Sequence, residues 1–319
     1  MKNIMIKSAI ATAVVAATTA TAVADVKVYG RLRVVAISTD VDGAADSVID
    51  LENRSSRFGI KASSEISDGL TAFGRYEFGV DGSSADLQRS GTADGSAQRL
   101  AYVGLKGGFG EISLGTRWSP YYSATVSYND PTNAFGGTWN NGAGFNTDFR
   151  NTDTLNYSNK FGAANVGLQV QIKDNGAGDD NDVDEVSLGA SFKVGSATIG
   201  LGYLATADVA DIFGIHARTK FGPFGIAGHY SSRSEDGVGV DNDAFNIVAD
   251  YGFGGGKTLY VSYGKTDNDT GNDPEQLAAE YVHTLGGGFK WFGGFSIDDT
   301  GAATDAETTR VGVGVRYDF

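Results

Sequence analysis

The side chains that could carry out catalysis are few in this sequence, and none lies in a recognisable catalytic spacing. The three histidines, His216, His229 and His283, are the candidates for a base that works at neutral pH. They match neither G-x-S-x-G, which presents a nucleophilic serine, nor H-E-x-x-H, which binds zinc. There is no cysteine, so disulfide bonds and thiolate metal sites are excluded. We predict that the protein is not an enzyme and carries no cofactor.

Acidic residues outnumber basic ones, and the formal net charge of the 319 residues is −14. This balance argues against nucleic-acid binding, which needs clustered lysines and arginines. One acidic run could bind a divalent cation through hard oxygen ligands: Asp179, Asp180, Asp182, Asp184 and Glu185. It matches no EF-hand and lacks the central glycine of that loop. We therefore interpret it as a solvated loop and predict no metal site.

In several segments, polar and charged residues alternate with apolar ones, as in β-strands that have one apolar face. The C-terminal segment places Val311, Val313, Val315, Tyr317 and Phe319 on one face, because successive side chains of a strand alternate. The opposite face is polar, and the segment Val26 to Ser38 repeats this arrangement. In a membrane barrel the apolar face contacts lipid and the polar face lines the lumen. An arginine facing hydrocarbon would cost about 2 to 4 kcal/mol, so strand arginines should face the lumen or pair at a rim.

The connections between the predicted strands are of two kinds. Short glycine-rich turns, such as 67–69, 107–110 and 286–288, alternate with longer acidic loops, such as 39–50 and 234–243. Short turns at one rim and long loops at the other are typical of a transmembrane antiparallel β-barrel, here of about 16 strands. A soluble β-helix or sandwich would not explain the asymmetry. The connection 119–149 is long and aromatic, and we expect it to fold inward against the wall.

Residues 1–24 have the features of a cleaved signal peptide. Lys2 and Lys7 form a basic start, an apolar stretch follows, and Ala22-Val23-Ala24 fits the small-x-small cleavage rule. The alternative, a membrane-anchoring helix, is disfavoured because the apolar stretch is shorter than the roughly 20 residues of a span. We therefore predict an exported protein whose mature domain is a barrel of residues 25–319.

Several motifs resemble the general diffusion porins of Gram-negative outer membranes. They are Val28-Tyr29-Gly30-Arg31, Arg57-Phe58-Gly59-Ile60-Lys61, Arg99 to Leu105, Phe109-Gly110 to Leu114-Gly115, and the terminal Tyr317-Asp318-Phe319. The resemblance covers the mature chain and implies a 16-stranded barrel, a homotrimer, a third loop inside the lumen and passive passage of small hydrophilic solutes and ions. It also implies an outer-membrane location, contact with lipopolysaccharide, and recognition of Tyr317 and Phe319 by the barrel assembly machinery.

The same resemblance implies a pore constriction between a basic ladder and an acidic loop. The ladder corresponds to Arg31, Arg57, Arg99 and Arg150, and the loop element to Phe135, Gly136 and Gly137. Asp130 is the acid expected on this loop, but Ala134 and Thr138 replace two further acids of the family pattern. We therefore expect the acidic side of the constriction to contribute little to ion selectivity. We expect the arginines to filter solutes, to brace the loop, or to do both.

Two other functions stay open at this stage. An outer-membrane hydrolase, either a phospholipase or a protease, would cleave esters or peptides. An adhesin or structural barrel with a sealed lumen would neither hydrolyse nor conduct. For the trimer contact we expect small outward residues on the early strands, namely Gly30, Ala36, Gly104 and Thr116.

Overall fold

The chain forms one closed antiparallel sheet. The computed structural model describes residues 24–84, 98–136, 149–173, 183–302 and 307–319. The strands in chain order are β1 (Asp25–Val41), β2 (Val48–Asn53), β3 (Arg57–Ser67), β4 (Leu70–Gly79), β5 (Gln98–Gly107), β6 (Gly110–Trp118), β7 (Arg150–Asn151), β8 (Thr154–Phe161), β9 (Ala164–Gln171), β10 (Glu185–Val194), β11 (Ala197–Thr206), β12 (Ala210–Phe221), β13 (Phe224–Glu235), β14 (Asp241–Gly254), β15 (Lys257–Asn268), β16 (Glu275–Gly286), β17 (Phe289–Asp299) and β18 (Thr308–Asp318).

These segments make 16 spanning strands, as the sequence predicted. Strands β2 and β3 both pair with β1 and continue one another across a short break, and β7 and β8 relate to β6 in the same way. Strand β18 pairs with β1 from Arg31↔Asp318 to Val41↔Thr308 and closes the barrel. Closure leaves no free sheet edge, which is the requirement for a sheet in lipid.

The two faces of the wall are those that the alternation predicted. Val311, Val313 and Val315 of β18 are 54%, 56% and 47% exposed on the outer face. The inner face buries polar side chains instead, including Glu77, Asn156, Gln169 and Glu280. The usual distribution of apolar and polar residues is therefore inverted, as expected for a barrel with a polar lumen.

Aromatic rings form a continuous band outside the wall near the short turns. Tyr251 contacts both Phe224 and Phe253, and Tyr281 contacts both Phe253 and Trp291, with centroid separations of 4.6 to 6.4 Å. Such a girdle is typical of the membrane interface of outer-membrane barrels. Within the described part of the chain, no helix has the length and apolar character needed to cross a membrane.

Some sequence-based boundaries were wrong. The segment 39–50 is not one loop, since β1 continues to Val41 and β2 begins at Val48. Strands β13 and β14 likewise extend into the predicted loop 234–243. Gly104 does not face outward, because a Cβ there would meet the inward-facing side chains of Phe73 and Ser113. The outer face of Gly30 is covered by the ring of Phe319. Neither glycine is therefore free for a subunit contact.

Candidate functional site

The described part of the long connection, residues 119–136, packs against the inward faces of the strands opposite β6. It contains a π-helical turn, Tyr122–Val126, followed by a 3-10 turn, Ser127–Asn129. Its backbone comes so close to the wall that a Cβ at Gly200 would lie 1.8 Å from the carbonyl oxygen of Ala124. A side chain at Gly200 would therefore displace the segment.

Tyr121 fixes the start of this segment. Its backbone N–H donates to the Ser187 hydroxyl at 3.0 Å, and its own hydroxyl donates to Ser231 Oγ at 3.0 Å. Burial raises the pKa of Tyr121 to about 12, so the hydroxyl stays protonated at neutral pH and keeps its donor role. Further along, the Asn129 amide donates to Asn246 Oδ1 at 2.9 Å.

Glu280 of β16 fixes the end of the segment. Its carboxylate accepts hydrogen bonds from the backbone N–H groups of Asn133 (2.7 Å), Ala134 (2.7 Å) and Phe135 (3.2 Å). The Asn133 side-chain amide donates to it as well, at 2.8 Å. Glu280 is fully buried, so these donors are what satisfies its charge. Sequence reasoning missed this role, because Glu280 and the loop it holds are about 145 residues apart.

Phe135 inserts into the wall beside Glu280. It is 1% exposed and packs in a cluster with Val35, Ile37, Ala278, Val282 and Phe292. A Cβ at Gly294 would lie 3.0 Å from the Phe135 ring, so this glycine makes room for it. Gly136 follows with φ of +93°, a conformation that glycine adopts without strain. Gly137, the third residue of the predicted element, lies outside the described residues.

Glu77 of β4 is the centre of the basic cluster on the other side of the lumen. Arg99 Nε donates to its Oε1 at 2.7 Å, and Arg75 Nη2 and the Tyr29 hydroxyl donate to Oε2 at 2.6 and 2.8 Å. Arg57 Nη1 lies 3.9 Å from Oε1. A buried carboxylate is stabilised by such charge-assisted hydrogen bonds. Arg57 and Arg99 therefore contact Glu77, an acid that the family pattern did not single out.

A β-bulge directs Arg99 into this cluster. Glu77 pairs with Leu100 and Phe78 pairs with Gln98, so Arg99 is the extra residue of β5. Strict alternation along β5 would place Arg99 on the outer face with Val103 and Leu105. The bulge instead brings its side chain inward, where it is 4% exposed. In the sequence, the inward position of Arg99 was indicated by the family motif and not by the alternation of β5.

Asp318 of β18 organises a second group of basic residues. Arg31 Nε and Arg316 Nε each donate to its carboxylate at 2.8 Å, and Lys290 Nζ lies 3.8 Å away. Arg316 Nη1 also donates to Asn133 Oδ1 at 3.1 Å, which joins this group to the loop. The polar face of the terminal strand thus supplies lumen residues.

Asp130 and Arg150 occupy separate positions. Asp130 is exposed in the lumen, and Arg33, Arg31 and Arg57 are the cations whose charges act on it. Arg150 is placed with aromatic residues, since its guanidinium lies 5.1 Å from the centroid of the Trp118 ring. Trp118 in turn stacks on Tyr122 of the loop at 4.4 Å. Arg31, Arg150 and the two arginines at Glu77 therefore have different nearest partners. Their joint role as a basic ladder stays a prediction.

The C-terminal aromatic residues lie at the seam of the barrel. The backbones of Gly30 and Phe319 exchange two hydrogen bonds, of 2.9 and 3.1 Å, and the Phe319 ring covers Gly30. Tyr317 contacts Phe319 at a centroid separation of 5.8 Å. Phe319 is therefore a structural part of closure. Recognition of Tyr317 and Phe319 by an assembly machinery stays a prediction.

A closed barrel of 16 strands with a polar lumen, an outer aromatic girdle and an inward-packed loop defines a β-barrel channel protein of the outer membrane. A family model described as Gram-negative porin matches residues 11–302. The chain belongs to the Gram-negative porin family and is an outer-membrane porin.

Individual relatives support this assignment. The outer membrane porin protein OmpD of Citrobacter koseri is 26% identical over 91% of this chain and 90% of its own length. Outer membrane protein F of Serratia marcescens is 28% identical over 82% of this chain and 84% of its own length. Among solved structures, an anion-selective porin from Comamonas acidovorans has a TM-score of 0.77 at 20% identity, with 93% of this chain and 100% of that chain covered. A trimer form of OmpT from Vibrio cholerae has a TM-score of 0.69 at 19% identity, with coverage of 93% and 99%.

Proposed function

We propose that the protein is a general diffusion porin whose lumen is narrowed between the loop segment 119–136 and the basic residues of β1, β3 to β5 and β18. The observation that carries this proposal is that the loop end is held by Glu280 on one side and by Arg316 of the basic residues on the other, since Arg316 Nη1 donates to Asn133 Oδ1 at 3.1 Å. A loop held by four hydrogen bonds keeps its place while water and solutes pass. Small hydrophilic solutes and ions then diffuse through without chemical change.

We propose further that the narrow region prefers anions. The basic side chains around Glu77, Asp130 and Asp318 are Arg31, Arg33, Arg57, Arg75, Arg99, Lys290 and Arg316. These seven cations face the three carboxylates of Glu77, Asp130 and Asp318, and Glu280 adds a fourth acidic group at the loop end, so basic groups remain in excess. A lumen lined by an excess of one sign concentrates ions of the other sign. This extends the expectation from sequence, in which Asp130 alone opposed four arginines.

The assembly is proposed to be a homotrimer in the outer membrane, in contact with lipopolysaccharide through its long loops. The OmpT of Vibrio cholerae, whose barrel fold this chain shares, has a trimer form. The protein is proposed to have no enzymatic activity. Within the described residues, no group of three or more metal-ligating side chains could hold a metal ion.

The test is conductance of the purified protein in planar bilayers together with sugar-driven swelling of liposomes. We expect stable channel currents and swelling, and no hydrolysis of ester or peptide substrates. An adhesin or sealed barrel would produce neither current nor swelling, whereas a hydrolase would show turnover. Either result would contradict the proposal.

The constriction itself is tested with the double variant Arg57→Ser and Arg99→Ser. We expect larger conductance and a reversal potential shifted towards cation preference, because two lumen cations are removed. The matched control is Arg310→Ser, since Arg310 pairs with Asp298 near the long-loop rim. An unchanged reversal potential in a correctly assembled double variant would show that these arginines do not line the narrowest point.

A further inference from the structure

Three basic residues lie directly opposite one another on adjacent strands near the short-turn rim. Lys27 of β1 pairs with Lys61 of β3, and Lys61 pairs with Arg75 of β4. All three side chains are on the inward face. Like charges opposite each other on one face destabilise a sheet, so this row is unfavourable for the wall itself.

Two of these three basic residues have a carboxylate partner, and Lys61 differs from them. Lys27 Nζ lies 3.4 Å from Asp25, and Arg75 Nη2 donates to Glu77 at 2.6 Å. Lys61 has an aromatic neighbour instead, with its ammonium 4.6 Å from the centroid of the Tyr29 ring. Across the ranges that the structure describes, no carboxylate forms an ion pair with Lys61. Its position between two cations therefore leaves a local excess of positive charge.

A recess of about 280 Å³ opens beside this row. Its basic lining residues are Lys27, Lys61, Arg75, Lys106 and Arg117. The two acidic lining residues are already engaged, since Asp25 pairs with Lys27 and Glu111 pairs with Arg117. The recess lies on the short-turn side of Glu77, because the row is two residues nearer that rim along β4. Its lining residues do not include Asp318 or the basic residues around Asp318.

We propose that this recess is a binding subsite for small oxyanions on their path between the constriction and the short-turn rim. An anion with several oxygens can accept hydrogen bonds from Lys61 and from neighbouring basic groups at once. Bound there, it supplies the counter-charge that the row lacks. The proposal rests on the proposed channel function, and it assigns to Lys61 direct contact with the anion.

Inorganic phosphate is the probe, added to channels that carry chloride current in planar bilayers. We expect phosphate to reduce the current in a saturable manner. Lys61→Gln should raise the half-blocking phosphate concentration about fivefold, the upper end for a solvent-screened ion pair. Lys61→Arg, which keeps the charge, should retain the wild-type value.

The matched control is Lys193→Gln. Lys193 is an exposed lysine on the inward face of β10, near the same rim but outside the recess. It should leave the phosphate dependence unchanged. Equal shifts in Lys61→Gln and Lys193→Gln would overturn the proposal, since net charge alone would then account for the block. Unchanged phosphate dependence in Lys61→Gln would overturn it too, whereas absence of any chloride current would contradict the channel function instead.

Discussion

At the scale of single residues, the lumen depends on carboxylates that hold arginines in place. Glu77 has a side chain only 1% exposed, and three arginines and a tyrosine surround it. It lowers the net charge of the narrow region by one and also orients the guanidinium groups. In this cluster the arginines are held by Glu77, a residue of the wall strand β4 and not of the loop. That they filter solutes stays a prediction.

The variant Glu77→Gln tests this prediction. Removing the carboxylate should raise the preference for chloride over potassium about threefold. Two unit charges 4 Å apart in water interact with about 1 kcal/mol, and the passing ions are farther than that from Glu77, so the effect is smaller. Reversal potentials in asymmetric KCl measure the change. Glu235→Gln is the control, because Glu235 also pairs with one arginine, Arg233, but lies at the end of β13. A larger shift in the control would exclude Glu77 from the narrow region.

At the scale of elements, the wall positions the loop through contacts that are far apart in sequence. Strands β10 to β14 contact the two helical turns, and β16 holds the loop end through Glu280. Glycines at the contact and the pocket for Phe135 make the fit close. The segment is consequently a fixed part of the lumen.

The variant Glu280→Gln should loosen the loop end. A carboxylate oxygen that accepts from Ala134 and Phe135 becomes an amide group that has its own hydrogens, so about 2 kcal/mol of charge-assisted bonding is lost. We expect noisier single-channel current and faster hydrogen exchange at residues 133–135. The control Glu275→Gln changes the same strand on its outer face, where Glu275 accepts from the Tyr263 hydroxyl. Identical exchange rates in wild type and Glu280→Gln would contradict the anchoring role.

At the scale of the whole molecule, closure and charge distribution determine the behaviour of the barrel. The seam between β1 and β18 includes the contact of Phe319 with Gly30. A side chain at Gly30 would begin 2.4 Å from the Phe319 ring, so that ring must leave its place. The seam therefore requires both a small residue at one end and an aromatic residue at the other.

Gly30→Val should lower the thermal stability of the assembled protein while leaving the terminal Tyr317 and Phe319 intact. We expect dissociation on semi-native gels at a lower temperature than for wild type, by roughly 2 °C or more, as expected for a loss of about 1 kcal/mol or more in a large domain. Gly108→Ala is the control, because a Cβ there meets nothing within 4 Å. Wild-type stability of Gly30→Val would show that the seam contact is dispensable. Migration of the unheated wild-type protein at the monomer mass would contradict the trimer.

Ion selectivity should depend on salt concentration. The net charge of −14 arises largely from residues outside the narrow region. Inside the narrow region, basic residues are in excess. Exposed charges act over about 10 Å at 0.1 M salt and about 3 Å at 1 M, so the acidic loops lose their influence as salt rises. We expect a cation-leaning reversal potential in dilute KCl that becomes anion-leaning in concentrated KCl. A selectivity independent of salt would contradict opposing charges at the mouth and the constriction.

The sidedness and the number of the strands could be predicted from the sequence alone. Alternation is a local property of an extended chain, so the valines of β18 and the arginines of β1 could be assigned to faces without any partner strand. Glycine likewise indicated the positions of the turns. Motifs around Arg31, Arg57 and Arg99 then indicated the family.

The charges that meet in the lumen could be identified only in the folded barrel. The inward position of Arg99 depends on a bulge, which is set by pairing between β4 and β5 and not by the residues of β5 alone. The contacts of Glu77 with Arg99 and of Glu280 with the loop depend on strand register and on the path of residues 119–136 around the lumen. Such long-range pairings arise from closure of the whole sheet, and a local pattern carries no information about them.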